Sequence, residues 1–74
     1  MSQMHTVTGV LIAVQEERIR MIADDGAGLL FTLADGVEAP GKITGLDASN
    51  PRVRVEYTGE PNLSIGVAHA VIPI

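Results

Sequence analysis

Few residues in this chain are of the types that carry out chemistry, and they lie far apart in the sequence. The chain contains no cysteine and two histidines, His5 near its start and His69 near its end. Nucleophilic catalysis requires a serine, threonine or cysteine held against a base, and no spacing here matches such an arrangement. The sequence therefore predicts a protein that is not an enzyme, with no catalytic residue and no cofactor.

Two acidic pairs, Glu16-Glu17 and Asp24-Asp25, come nearest to a metal-binding motif. A hard cation such as Ca²⁺ requires about six or more oxygen ligands from a defined loop, and neither pair is followed by further ligands at such a spacing. Both pairs stand where the chain is expected to turn, and acidic residues are common at turns. We therefore expect no metal site, and no glycine pattern matches a phosphate-binding loop.

Arginines form the clearest charge pattern. Arg18 and Arg20 alternate along one expected strand, and Arg52 and Arg54 alternate along another, so each pair shares an outward face. In an OB barrel both of these strands pair with the first strand. The two pairs would then lie on one side of the barrel, where they could contact the phosphates of single-stranded nucleic acid.

The overall composition argues against nucleic acid as the main ligand. The net charge is −4, so the average field repels polyanions. The only aromatic residues of the Phe, Trp and Tyr types are Phe31 and Tyr57, and both are expected to face inward, where no base can stack on them. The arginines could instead protect strand edges and pair with nearby glutamates. Nucleic-acid binding is therefore the second hypothesis.

The elements that must position these residues are short strands. Alternating apolar residues separated by turn residues predict five of them, at 4–14, 18–23, 28–34, 52–58 and 63–72. The turn Asp24-Asp25-Gly26 joins the second to the third, so the first three should form a meander. The period breaks between residues 35 and 50, where we expect a loop with a short helical turn around 42–46.

The alternation also predicts which side chains face the core. The expected inward residues of the first four strands are Val10, Ile12, Val14, Ile19, Met21, Ala23, Leu29, Phe31, Leu33, Val53, Val55 and Tyr57. Val7 is out of phase with the rest of its strand, which predicts a bend or bulge at Gly9. The last strand contains two sets of apolar residues that are out of phase, on either side of a possible bulge at Gly66.

These elements predict a single all-β domain over residues 1–74, a five-stranded OB-like barrel, with an SH3-like barrel as the alternative. The segments Gly9-Val10-Leu11, Arg18-Ile19-Arg20-Met21, Asp25-Gly26 and Val53-Arg54-Val55-Glu56-Tyr57 support the first choice. Together they resemble the OB domains of bacterial translation initiation factor one and of the ribosomal protein S1 type, and also short uncharacterised bacterial proteins.

That resemblance implies a fold and not a binding site. RNA binding in those two families implies exposed aromatic residues on the second and third strands and many surface lysines and arginines. This sequence has neither feature, with five Lys and Arg residues against nine Asp and Glu. No RNA-binding residue is therefore transferred from the resemblance.

Apolar residues on the outer face point to a different kind of partner. With Val10 and Ile12 inward, Leu11, Ile22 and Leu30 face outward on three consecutive strands, and a contiguous apolar patch marks a protein interface. The apolar segment 70–74 should also dock, either on the barrel itself or on a neighbouring subunit. Our first hypothesis is a small binding module that mediates protein–protein contacts or forms a homo-oligomer.

The expected location is the cytoplasm, without a membrane partner. No run approaches the roughly 20 apolar residues of a membrane span, and the first residues do not match a signal peptide. The lack of cysteine is consistent with a reducing compartment.

Overall fold

Alternating aliphatic side chains build five strands in the part of the chain that the computed structural model describes, residues 3–39, 50–63 and 65–74. The strands are β1 (His5–Gln15), β2 (Arg18–Ala23), β3 (Gly28–Leu33), β4 (Arg52–Thr58) and β5 (Val67–Pro73). The helical turn expected around 42–46 lies outside the described residues. Within those ranges, no helix is long and apolar enough to cross a membrane.

The five strands close into a barrel with the order β1-β2-β3-β5-β4. β1 is the longest strand, and it pairs with β2 along one part and with β4 along another. β3 and β5 form a short parallel pair through Thr32 and Val67 and through Leu33 and Ala68, whereas the other pairs are antiparallel. This is the five-stranded OB arrangement. The OB-like prediction is confirmed over the SH3-like alternative.

The interior of the barrel is mainly aliphatic and takes alternate residues from β2, β3 and β4. Its buried core consists of Leu11, Ile19, Met21, Phe31, Val53, Val55, Ala68 and Val71. The ring of Phe31 packs against that of Tyr57 with centroids 4.7 Å apart. The inward facing predicted for β2, β3 and β4 is confirmed, and both Phe and Tyr rings belong to the core rather than to the outer surface.

The facing of β1 differs from the prediction. Its register against β2 shifts between Leu11 and Ala13, so the extra residue of the bulge is Ile12 and not Gly9. Before the bulge, Leu11 faces the core with no exposed surface, and Val10 faces outward opposite Ile22. The prediction that Leu11 belongs to an exposed apolar patch is therefore wrong, because the bulge lies three residues later than expected.

Gly9 has a different role, which is to allow close approach of strands. It pairs with Ala23 of β2 and with Val53 of β4, so β1 is bonded on both sides there. A Cβ atom at this position would lie 2.7 Å from the Cα of Ala23, and it would also collide with the carbonyl oxygen of Ile22. The missing side chain lets β1 pass from one partner strand to the other.

The last strand is shorter than predicted. Leu63 and Ile65 lie in the β4–β5 loop and are more than half exposed, at 53% and 60%. The register shift in β5 leaves His69 as the extra residue, so Ala68 and Val71 both face the core. After β5 the backbone stays on the barrel at residue 74, because the N–H of Ile74 donates a hydrogen bond to the carbonyl of Arg52.

Candidate functional site

A shallow groove crosses the outer surface of β1, β2 and β3. Cross-strand pairing places Arg20 between Ala13 and Leu30, and it places Arg18 between Gln15 and Thr32. The bulge at Ile12 produces this alignment, because it turns Ala13 and Gln15 outward on β1. The groove has a volume of about 220 Å³ and is lined by Ala13, Gln15, Arg18, Ile19, Arg20 and Leu30. We call it the outer groove.

The outer groove continues toward the β4–β5 loop. A second hollow of about 180 Å³ shares Arg18 and Leu30 with it and is also lined by Phe31, Thr32, Asn62 and Leu63. The exposed side chain of Leu63 therefore stands at the loop side of the groove. The surface thus combines the guanidinium groups of Arg18 and Arg20 with an apolar strip formed by Leu30 and Leu63.

Asn62 holds that loop against β3. The backbone N–H of Leu30 donates to its Oδ1 over 2.7 Å, and its Nδ2 donates to the carbonyl of Gly28 over 3.2 Å. Its own N–H donates to the carbonyl of Leu30 over 2.8 Å. Asn62 adopts a left-handed φ of 71°, which asparagine tolerates better than most residues. The loop thereby covers the part of the β3 edge that β5 does not reach.

The two arginines of the groove have no partner among the described residues. Arg18 and Arg20 are exposed, and neither side chain makes a hydrogen bond or an ion pair with that part of the chain. Leu30, directly opposite Arg20, is half-buried and forms the apolar side of the groove. Guanidinium groups in this setting can donate hydrogen bonds to carboxylate or phosphate oxygens of a partner.

The arginines of β4 are separated from those of β2. Arg52 lies opposite Val10 of β1, and Val10 lies opposite Ile22 of β2. The apolar side chains of Val10 and Ile22 therefore lie next to Arg52. Arg52 Nη2 donates to Asp24 Oδ2 over 2.5 Å, whereas Arg54 is exposed and makes no ion pair with a described residue. The predicted four-arginine patch thus divides into two pairs on either side of β1.

Asp24 ties the β2–β3 turn to the neighbouring strands. Thr8 Oγ1 donates to the Oδ2 atom that Arg52 also contacts, over 2.7 Å. The Thr8 hydrogen bond, followed by the hydrogen bond and charge of Arg52, lowers the pKa of the Asp24 carboxyl below its ordinary value of 3.8. This exposed cluster is a structural clamp, and it engages one of the four arginines.

The predicted apolar patch is reduced to two of its three members. Ile22 and Leu30 both lie half-buried on the outer face, while Leu11 lies in the core. Val10 takes the place of Leu11, opposite Ile22. Val10 was not predicted here, because alternation along β1 had assigned it to the interior. Leu63 was not predicted either, because it had been placed in a strand.

Each histidine side chain contacts a residue of β4, whereas the described methionines differ in burial. The ring of His5 is 5.5 Å from that of Tyr57, and His69 Nε2 is 2.8 Å from Thr58 Oγ1. Met4 is 55% exposed, whereas Met21 is fully buried in the core. Among the described residues, no group of three or more His, Asp or Glu side chains is arranged to hold a metal ion.

Comparison with known proteins supports the barrel fold but does not assign the chain to a family. No protein-family model matches the sequence, and no curated protein matches it. Among solved structures, the chain is similar to a crystal structure of CusF with Ag(I), with a TM-score of 0.70 at 16% sequence identity. The match covers 97% of this chain and 99% of the CusF chain.

At this identity the likeness shows a shared five-stranded barrel and nothing finer. The resemblance to translation initiation factor one and to the S1 type is likewise limited to the barrel, because no family model supports it.

Proposed function

We propose that this protein is a small non-enzymatic binding module and that the outer groove is its contact surface for another protein. One observation carries the proposal. Two guanidinium groups without a partner among the described residues, those of Arg18 and Arg20, border an apolar strip made by Leu30 and Leu63. Arginine next to apolar surface is a typical composition of the centre of protein interfaces.

The shape of the groove favours a macromolecule over a small ligand. Pockets for small molecules bury about 70–90% of the ligand surface, whereas the outer groove runs along exposed residues of β2, among them Arg18 and Arg20. It is also a surface depression on a sheet, bordered by a loop whose Leu63 and Ile65 side chains are exposed. A protein segment bound on the sheet would cover both the depression and these exposed side chains.

Single-stranded nucleic acid is the second candidate. The observation that favours it is the presence of three exposed arginines without an ion pair among the described residues, Arg18, Arg20 and Arg54. The position of Phe31 and Tyr57 in the core weakens it, because bases would find no ring to stack on. Such binding would be weak and strongly dependent on salt.

The Ag(I) of the CusF crystal structure raises the question of a soft metal. Thioether and imidazole groups are ligands that soft metal ions accept, and this chain has no cysteine. Of its described methionines, Met21 is sealed in the core. Met4, His5 and His69 remain, and His69 is already bonded to Thr58. Among the described residues no group of three or more His, Asp or Glu side chains is arranged to hold a metal ion, so we do not extend metal binding to this chain.

A selection from a random peptide library tests the proposed function. The full chain is immobilised, enriched peptides are resynthesised, and each is titrated into labelled protein while the amide NMR spectrum is recorded. We expect shifts at Arg18, Arg20, Leu30 and Leu63. The absence of any enriched peptide, or shifts confined to the opposite side of the barrel, would contradict the proposal.

Self-association through the same groove is the other form of the proposal. Sedimentation velocity across a wide concentration range measures it directly. A concentration-dependent dimer that Leu30→Ser weakens would assign the groove to a homo-oligomer. A monomer at all concentrations would leave a different protein as the partner.

A further inference from the structure

We infer that the outer groove takes a short, extended acidic segment of another protein, with two carboxylates on alternate residues and an apolar residue beside them. This inference rests on the proposed function and specifies the partner. Its basis is the placement of Arg18, Arg20, Leu30 and Leu63 on one surface.

The spacing of the two arginines sets the spacing of the ligand charges. Arg18 and Arg20 stand two residues apart on β2, and both face outward. Their Cα atoms are therefore about 6.6–7 Å apart, which is also the distance between alternate residues of any extended peptide. A segment with the pattern Asp/Glu-x-Asp/Glu can place one carboxylate on each guanidinium. Each guanidinium can donate two parallel hydrogen bonds to the carboxylate that faces it, and such paired bonds are strong.

The apolar strip sets the position of the third ligand residue. Leu30 lies on the β3 side of Arg20, and Leu63 lines the same hollow as Arg18 and Leu30. A leucine, valine or similar ligand side chain next to the acidic pair would pack against Leu30 and Leu63. The contact would add specificity that a bare pair of charges lacks.

The β1–β2 turn limits the length of the acidic stretch. Glu16 and Glu17 follow Gln15 at the end of the groove and share a surface depression with Arg18. A longer run of acidic residues would meet these carboxylates and be repelled. The site is therefore matched to two charges, and not to a polyanion.

A second copy of this chain does not supply such a segment. Its nine acidic residues stand at 16, 17, 24, 25, 35, 38, 47, 56 and 60, and no two of them are two positions apart. The charge pattern thus points to a different protein.

Fluorescence anisotropy with three labelled peptides tests the inference on the full chain. The first peptide contains Glu-Ala-Glu-Leu, the second has the same composition with adjacent glutamates, and the third is an oligoglutamate. We expect the first to bind at least about tenfold more tightly than the second, because one charged hydrogen-bond pair is lost when the spacing changes. We also expect the oligoglutamate to bind more weakly than the first.

Matched variants locate the binding. Arg18→Gln and Arg20→Gln should each reduce affinity about tenfold or more, and Arg54→Gln, which changes the same charge on the other side of β1, should leave it unchanged. All three positions are exposed, and an unchanged amide spectrum verifies the fold.

Three results would overturn the inference: equal binding of the two isomeric peptides, tightest binding of the oligoglutamate, or equal loss in Arg54→Gln. If the acidic peptides fail while selected random peptides still shift the groove, the inference is wrong and the proposed function stands. If selected peptides also leave the groove unshifted, the proposed function itself fails.

Discussion

Arg20 of β2 lies directly opposite Leu30 of β3 on the outer surface of the barrel, with Ala13 of β1 on its other side. The small alanine leaves the guanidinium uncovered, and the leucine supplies apolar surface beside it. No acidic side chain among the described residues contacts Arg20. This combination of a free cation and an apolar neighbour is the feature on which the functional proposal depends.

The position of the β1 bulge can be tested by comparing two leucines. Leu11→Ala should lower the free energy of unfolding by about 2–5 kcal/mol, because Leu11 is fully buried. Leu30→Ala should cost less than about 1 kcal/mol, since Leu30 is half-buried on the outer face. Urea denaturation measures both values. Equal costs would contradict a bulge at Ile12.

Gly9 and Gly28 form a second matched pair. Gly9→Ala should destabilise the barrel by about 1–3 kcal/mol, because the new methyl group would collide with the backbone of Ile22 and Ala23. Gly28→Ala should change stability by no more than about 0.5 kcal/mol, as nothing lies within 4 Å of a Cβ there. Thermal unfolding of the two variants measures the difference. A harmless Gly9→Ala would argue against the close β1–β2 approach.

Loss of the Asn62 side chain should loosen the β4–β5 loop. Asn62→Ala removes two hydrogen bonds to β3 and places alanine at a left-handed φ, so we expect a cost of about 1–3 kcal/mol. Asn62→Gly is the control, because glycine tolerates the φ but lacks the bonds. Amide hydrogen exchange at Leu30 should quicken in both variants. Unchanged exchange at Leu30 would show that the loop is held by something else.

The stabilising effect of Asp24 should depend on pH. Its pKa is lowered in the folded protein, chiefly by the Thr8 hydrogen bond and also by Arg52. Such a carboxyl stabilises the fold above its ordinary value of 3.8, and this contribution is lost as the pH falls through the folded pKa. The wild-type chain should therefore have a higher Tm than Asp24→Asn at pH 7, with the gap closing in acid. A gap that widens in acid would reverse the assignment.

Most of the barrel follows from period-two alternation where polar and apolar residues contrast. In β4, arginines alternate with Val53 and Val55, and both the bounds and the facing were predicted. In β1, Val10 to Val14 are all apolar, so no polar residue fixes the phase and the bulge at Ile12 has no sequence signal. That one shift exchanged Val10 and Leu11 between core and surface.

The candidate site was predicted in part for the same reason. Arg18 and Arg20 were correctly placed outward, because they alternate with buried Ile19 and Met21. Val10 and Ile22 separate these arginines from Arg52, and that separation depends on which residues of β1 face outward. The hydrogen bonds of Asn62 to β3 join residues about thirty positions apart, and no local sequence pattern predicts such a contact.

Binding of an acidic peptide in the outer groove can be measured by an NMR titration that follows the arginine side-chain Nε–Hε signals together with the backbone amides. The Glu-Ala-Glu-Leu peptide and a mixed single-stranded oligonucleotide are added separately, each at low and at high salt. We predict that the peptide shifts Arg18 and Arg20, leaves Arg54 and the Asp24-bound Arg52 in place, and that the oligonucleotide shifts none of them. Shifts of all exposed arginines by the oligonucleotide, with none from the peptide, would rule out the acidic-peptide site and favour nucleic-acid binding.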